Sequence, residues 1–302
     1  MQPRGSDINA HPNAHPNAHP NAHPNARPPR RDRDPCWHYR RVSARLNVHR
    51  FGPPGPITML ALHGLTGHGG RWQHLAAYVP EIAVAAPDLL GHGRSSWAAP
   101  WTIEANVSAL AELLDHQADG PVLVVGHSFG GGIAMHLAAA RPDLVRALLL
   151  LDPALGLDGE WMRQIAEAML ASPDYPDAAE ARLEKSAGSW ADVEAAVLDA
   201  DLRDHLVTLP NGRYRWRICL PAMMSYWSEL ARDIVLPPAG TSTTVVRATW
   251  TSPPYVTADF IARLAKQLGE DFAVLDFDCD HMVPHAKPDE VAALIRKRLE
   301  AP

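Results

Sequence analysis

Val122-Leu123-Val124-Val125-Gly126-His127-Ser128-Phe129-Gly130-Gly131-Gly132 is the stretch on which the reading of this chain turns. Its four opening aliphatic residues suit a short strand covered on both faces. The glycines then break that strand, and residues 133–140 resume with the apolar pattern of a helix. Glycine on either side of Ser128 lets the backbone take a strained turn and lets the helix approach the strand. The serine hydroxyl then projects above a sheet at the positive end of a helix, which makes Ser128 the first candidate nucleophile.

Outward from this unit the same texture repeats. Short apolar runs at 57–62, 82–86, 122–125, 147–151, 243–246 and 272–277 end in turn-forming or polar residues, and a more polar alternating stretch, 39–49, precedes them. Residues 103–114 and 133–140 read as helices between the runs. A last helix opens at Pro288 with Asp289 and Glu290, turns Val291, Leu294 and Ile295 to one face, and closes on Arg296, Lys297 and Arg298. Strands alternating with helices predict an α/β fold with a mostly parallel central sheet flanked by helices.

One interval breaks the alternation. Between Leu157 and Val235 no strand-like run is expected, but three sets recur at helical spacing: Trp161, Ile165 and Met169; Leu198, Leu202 and Leu206; and Met223, Trp227, Leu230 and Ile234. We read 157–235 as an inserted helical cap over the carboxyl edge of the sheet, where open α/β sheets bind ligands, with 36–156 and 236–302 forming the core. Met223 and Trp227 are candidates for the wall of a substrate pocket. Arg213, Arg215 and Arg217 read as a solvated charged strip.

The chain has 302 residues, enough for a sizeable core, and its 28 Lys+Arg against 34 Asp+Glu give a formal charge of −6. That balance lacks the basic excess of a nucleic-acid binder, so no nucleic-acid partner is expected. Cys36, Cys219 and Cys279 are too few and too scattered for a disulfide framework or a Cys-rich zinc site, and reduced thiols are expected. With no run of about 18 apolar residues and no apolar leader, the expected protein is soluble and cytoplasmic, without an integral membrane segment. Residues 11–26 are four copies of His-Pro-Asn-Ala, followed by a stretch of Arg, Pro and Asp. We read 1–35 as a disordered tail outside the chemistry, since so polar and proline-rich a segment cannot offset its ordering entropy. Its histidines, His11, His15, His19 and His23, offer at most weak divalent-metal binding.

A serine attacking a carbonyl needs two backbone N–H donors aimed at the developing oxyanion. Phe129, directly after the nucleophile, and Leu65, in the His63-Gly64-Leu65-Thr66 loop after the run 57–62, are the expected pair. His281 lies four residues after the run 272–277 and just before the final helix, where a general base reaches the nucleophile. His63, His92 and His127 are expected to be structural, and Asp88 and Arg94 to serve turns and caps.

These residues together resemble the α/β-hydrolase family, specifically its capped serine esterases and lipases. The resemblance rests on His63-Gly64, the Pro87-Asp88-Leu89-Leu90-Gly91-His92-Gly93-Arg94-Ser95 segment, the Ser128 turn, Leu151-Asp152-Pro153 and the terminal His281-Met282-Val283-Pro284, and spans 37–302. It implies a triad in the order serine, acid, histidine. The family usually keeps its acid after the strand at 243–246, where this chain has Ser252 and no carboxylate before Asp259. Some lipases of the fold carry the acid in a Leu-Asp-Pro context directly after the nucleophile helix and its strand, which selects Asp152 first and Asp259 second, with a serine–histidine pair lacking a third member as the remaining alternative. Asp280, where relatives usually have Gly, receives no role. The function implied is cleavage of a small-molecule carboxylic ester or lipid through an acyl-enzyme, with no cofactor and no metal. C–C bond hydrolases, thioesterases, lactonases and perhydrolases share that machinery, and a receptor-like binding protein with weak catalysis is the alternative of another class.

Overall fold

The computed structural model describes residues 45–300; the tail 1–35, with its four histidines, and Cys36 lie outside the described residues. Seven strands form the main sheet: β1 (Val48–Phe51), β2 (Met59–Leu62), β3 (Val84–Pro87), β4 (Val122–His127), β5 (Val145–Leu151), β8 (Ser242–Ala248) and β9 (Phe272–Phe277). They lie in the order β1-β3-β2-β4-β5-β8-β9, with β1 antiparallel to β3 and every other pairing parallel. The expected α/β sheet is therefore present. Only the second half of the stretch 39–49 is described, and β1 begins at Val48.

Period-two alternation sorts the aliphatic side chains between two cores. Leu60, Leu62, Val122, Val124, Leu148 and Leu150 enter one, while Met59, Ala61, Leu123, Val125, Leu149 and Leu151 enter the other. Helices α2 (Ile103–Gln117), α3 (Phe129–Ala140) and α8 (Ala258–Leu268) supply apolar side chains to the first. The second takes residues of α1 (Trp72–Ala76), α9 (Val283–Ala286) and α10 (Pro288–Glu300). Helix starts are set by side-chain caps: Thr102 accepts from the Ala105 N–H and Thr257 from the Phe260 N–H.

Between β5 and β8 run α4 (Gly159–Ala171), α5 (Ala178–Ala187), α6 (Ala195–His205), the antiparallel hairpin β6 (Leu206–Thr208) and β7 (Tyr214–Trp216), and α7 (Leu220–Leu230). The hairpin corrects the expectation of an interval without strands. Leu206 begins a strand instead of extending the helix of Leu198 and Leu202, and Ile234 lies beyond the end of α7. The alternating arginines were the strand signal: Arg213 pairs with Asp174 at 2.5 Å, Arg215 faces the Trp97 ring, and all three arginines are half-buried, so they are not a solvated strip. Met162, Ala181, Trp216, Met223 and Tyr226 of this segment share a core with Phe129 and Leu89 of the sheet's loops.

Register decides where chemistry can occur. Gly126 stands opposite Leu62, His127 opposite Leu151, Leu151 opposite Val246, and Ala248 opposite Phe277. The loops leaving β2, β4, β5, β8 and β9 thus emerge side by side along one sheet edge, although they are far apart in sequence.

Candidate active site

Ser128 holds φ 55° and ψ −122°, a conformation that side-chain-bearing residues adopt only when their surroundings impose it. Those surroundings are specific. The Ser128 N–H donates to the Leu151 carbonyl at 3.0 Å, and its own carbonyl accepts from Gly131 and Ala154 at 2.8 and 3.0 Å. A Cβ on Gly126 would lie 2.5 Å from the Gly130 carbonyl oxygen, and one on Gly130 would lie 2.3 Å from that of Leu62. Both flanking positions must be glycine for the turn to close. Phe129 opens α3, so its N–H is one of the donors that a helix start leaves free.

The loop after β2 lies against this turn. A Cβ on Gly64 would sit 3.0 Å from Ser128 Cβ and 3.0 Å from His127 Nδ1, so the backbone just before Leu65 packs against the Ser128 turn. His63 is structural as expected: its Nε2 accepts from the Leu89 N–H at 2.9 Å, leaving Nδ1–H to donate to the Gly64 carbonyl at 2.8 Å. Burial, helped by nearby His92, holds its pKa well below the usual value, and the ring stays neutral.

Asp152 and His281 meet. Asp152 Oδ2 accepts from His281 Nδ1 at 2.6 Å, and Oδ1 accepts the Ala248 N–H at 3.2 Å. The carboxylate is 1% exposed, and the residue stands at φ 44° with its N–H donating to the Val246 carbonyl at 2.7 Å. Asp259 is instead exposed in the first turn of α8, where its charge suits a helix N-terminus, and Ser252 is also exposed. With Nδ1 donating to Asp152, His281 Nε2 is left as an acceptor.

Three contacts around His281 escaped the sequence reading. The Tyr255 ring lies 4.4 Å from the imidazole, and Trp161 of α4 stacks on Tyr255 at 5.5 Å. His127 Nε2–H donates to the His281 carbonyl at 2.7 Å. Asp280 gains a role, accepting the His281 N–H at 2.7 Å while its own N–H donates to Asp192 at 2.8 Å. Of the pocket candidates, Met223 is fully buried core and Trp227 is half-buried. A cavity of about 450 Å³ borders Ala248 and Thr251 but includes neither Ser128 nor His281.

Asp88 serves its turn as expected, accepting from the N–H groups of Gly69 and Arg94 at 2.7 and 2.8 Å. Burial alone would raise its pKa, but the bonds from His49, Arg94 and Gly69 hold it below the usual carboxylate range. His49, His68 and Asp88 are, among the described residues, the one group of three with metal-ligand atoms all within 4.8 Å of one another. Its carboxylate is already engaged by that turn.

A mostly parallel sheet with a strained serine between strand and helix, and a histidine–carboxylate pair formed by the loops after β9 and β5, defines an α/β-hydrolase. The alpha/beta hydrolase family model matches residues 59–294, and the chain belongs to that family. It is 68% identical over 254 residues to lipase LipV of Mycobacterium tuberculosis (strain ATCC 25618 / H37Rv), an alignment covering 84% of this chain and 97% of that protein. Among solved structures, E-2-(acetamidomethylene)succinate hydrolase matches with a TM-score of 0.72 at 22% identity, over 85% of this chain and 95% of its own. A marine microorganism esterase matches with a TM-score of 0.67 at 23% identity, over 84% and 99%. At these identities the two structures speak for the fold alone.

Proposed function

We propose that this chain is a serine hydrolase that cleaves carboxylic esters of small-molecule or lipid type. The observation that carries the reading is the 2.6 Å contact of Asp152 with His281 at the same sheet edge as the strained Ser128. The high identity to a lipase over nearly that protein's whole length supports the ester as substrate.

Ser128 gives its proton to His281 Nε2 as it attacks the acyl carbonyl, and the N–H groups of Leu65 and Phe129 receive the oxyanion. Asp152 holds the imidazole with its proton on Nδ1 and balances the imidazolium that forms. The alcohol leaves with the proton from Nε2. Water, activated by the same nitrogen, then cleaves the acyl-enzyme and returns Ser128.

The segment 157–235 acts as a cap that shapes the acyl pocket, with Trp227 a candidate for its wall. No helix among the described residues is long and apolar enough to cross a membrane. A cytoplasmic setting belongs to the same proposal, supported by unpaired Cys219 and Cys279; burial pushes the Cys279 thiol up to about 12, so it stays protonated. A fluorophosphonate probe tests the central reading. Rapid labelling at Ser128, abolished by Ser128→Ala, is expected, and a purified chain that hydrolyses p-nitrophenyl butyrate without taking the probe would overturn it.

A further inference from the structure

The loop that carries Leu65 is tied to the inserted segment by a buried charge cluster that the ester chemistry does not use. Asp201 of α6 accepts from Arg71 Nε at 2.7 Å, from Arg71 Nη2 at 3.2 Å and from His68 Nε2 at 3.0 Å, and pairs with Lys185. Side-chain exposure is 3% for Asp201, 7% for Arg71 and His68, and 11% for Lys185. Tryptophan rings cover the cations: Lys185 Nζ lies 3.9 Å from the Trp216 centroid and 4.5 Å from that of Trp190, with Arg71 5.1 Å over Trp190. Burial opposes the charge on Asp201, but Arg71 and Lys185 outweigh it and hold the carboxyl well below its usual range.

Burying such ions adds little net stability, because desolvation offsets their attraction, and an apolar contact would hold the segments as well. What the cluster adds is direction. Its bonds converge on Thr66: Arg71 Nη2 donates to the Thr66 carbonyl at 3.3 Å, and His205, one turn beyond Asp201 on α6, donates Nε2–H to the same oxygen at 3.1 Å. Thr66 stands at φ 62°, a left-handed conformation that a β-branched residue keeps only when its neighbours impose it. It directly follows Leu65.

We propose that Asp201 and His205 are positioning residues for the oxyanion hole, holding the Leu65-Thr66 backbone in its strained, productive geometry from the inserted segment. The proposal rests on the serine-hydrolase reading above. Catalytic competence is then set by how the segment 157–235 is seated, as well as by the triad.

His205→Phe tests this, since a phenyl ring keeps the stacking on His68 and Trp216, at 4.5 and 6.0 Å, and removes only the donor to Thr66. With p-nitrophenyl butyrate, kcat should fall about 10- to 100-fold at nearly constant KM, short of the full loss of an oxyanion donor. The affinity for a trifluoromethyl ketone, which adds to serine as a tetrahedral oxyanion, should fall by the same factor, with the melting temperature nearly unchanged. His205→Gln, whose amide N–H can reach the Thr66 carbonyl, should recover most of both. Asp201→Asn should lose more of both; if it fails to fold, the His205 pair still decides. A folded His205→Phe variant with wild-type kcat, or one that loses kcat while keeping its ketone affinity, would overturn the proposal. A wild-type chain that leaves Ser128 unlabelled by the fluorophosphonate would instead remove the underlying reading, and the proposal with it.

Discussion

Replacing Asp152 by asparagine probes the site where its geometry is tightest. The carboxylate accepts from His281 Nδ1 at 2.6 Å, from the Ala248 N–H at 3.2 Å and, more weakly, from the Thr251 hydroxyl at 3.5 Å. Asparagine has one accepting end and one donating end. If its oxygen faces Ala248, its amide group meets Nδ1, and the imidazole proton must move to Nε2. In the opposite orientation two donors face each other inside a buried site, at a cost of about 1–3 kcal/mol. The first orientation therefore wins, and a proton on Nε2 leaves no lone pair to receive the Ser128 proton. Turnover should fall about 10⁴-fold, the scale of such a tautomer switch, equivalent to about 5.4 kcal/mol of barrier at 1.36 kcal/mol per decade. Steady-state hydrolysis of p-nitrophenyl butyrate, with circular dichroism to check folding, measures it. KM should hold, and exposed Asp259→Asn should be nearly silent. If Asp152→Asn keeps more than about a tenth of wild-type turnover, the tautomer reasoning is wrong and His281 is oriented by another group.

Other perturbations separate chemistry from architecture. Ser128→Ala should abolish ester hydrolysis while relieving backbone strain little, so a melting temperature near wild type with no turnover is expected. Gly130→Ala should cost about 3 kcal/mol or more in urea titration, because its Cβ would stand 2.3 Å from a backbone oxygen that cannot move without shifting the Leu65 loop. Burial lowers His92 to about 4 and His285 to about 3. Both folded values are below the unfolded value of about 6.5, so the stability they contribute is present above that pH and is lost as pH falls from there through the folded values. Melting temperatures between about pH 7 and pH 4 should drop, and His285→Leu should flatten the slope; an unchanged slope would contradict the burial account. Trp227→Ala should raise the rate on long-chain relative to short-chain p-nitrophenyl esters. Met223→Ala, by contrast, should cost about 2–5 kcal/mol with the chain-length profile unaltered; the reverse pattern would exchange their roles.

The strands and the Ser128 turn were legible because their signals are local: aliphatic runs, flanking glycines and a resumed helix within a dozen residues. β9 matches its sequence run at both ends for the same reason. Asp152 was reached only through the family resemblance, since nothing local shows that Leu151 is flanked by both His127 and Val246; that is a matter of strand order. The β6–β7 hairpin was missed although Arg213, Arg215 and Arg217 alternate at strand period, because charged residues at that period read equally well as a solvated surface. Asp201 gave no signal at all. Its partners Arg71 and His68 lie 130 and 133 residues away in sequence, and only folding brings a carboxylate on one helix to a guanidinium and an imidazole from so distant a segment. The bond of His127 to the His281 carbonyl could not be read from a position inside the Ser128 turn.

The proposed position of the acid, directly after β5, has an evolutionary consequence. The proposed nucleophile Ser128 and Asp152 follow adjacent strands and are laced together, Ser128 donating to Leu151 and accepting from Ala154, so they are inherited as one block of contiguous chain. The loop after β8 is thereby released from carrying a carboxylate, yet it still reaches the site, laying Tyr255 on His281 and meeting Trp161. On the proposed assignment, mutations there can change the surroundings of His281 without removing any member of the triad. A lineage built this way can change what it cleaves faster than how it cleaves, and the 249–256 loop is where divergence among its members should accumulate.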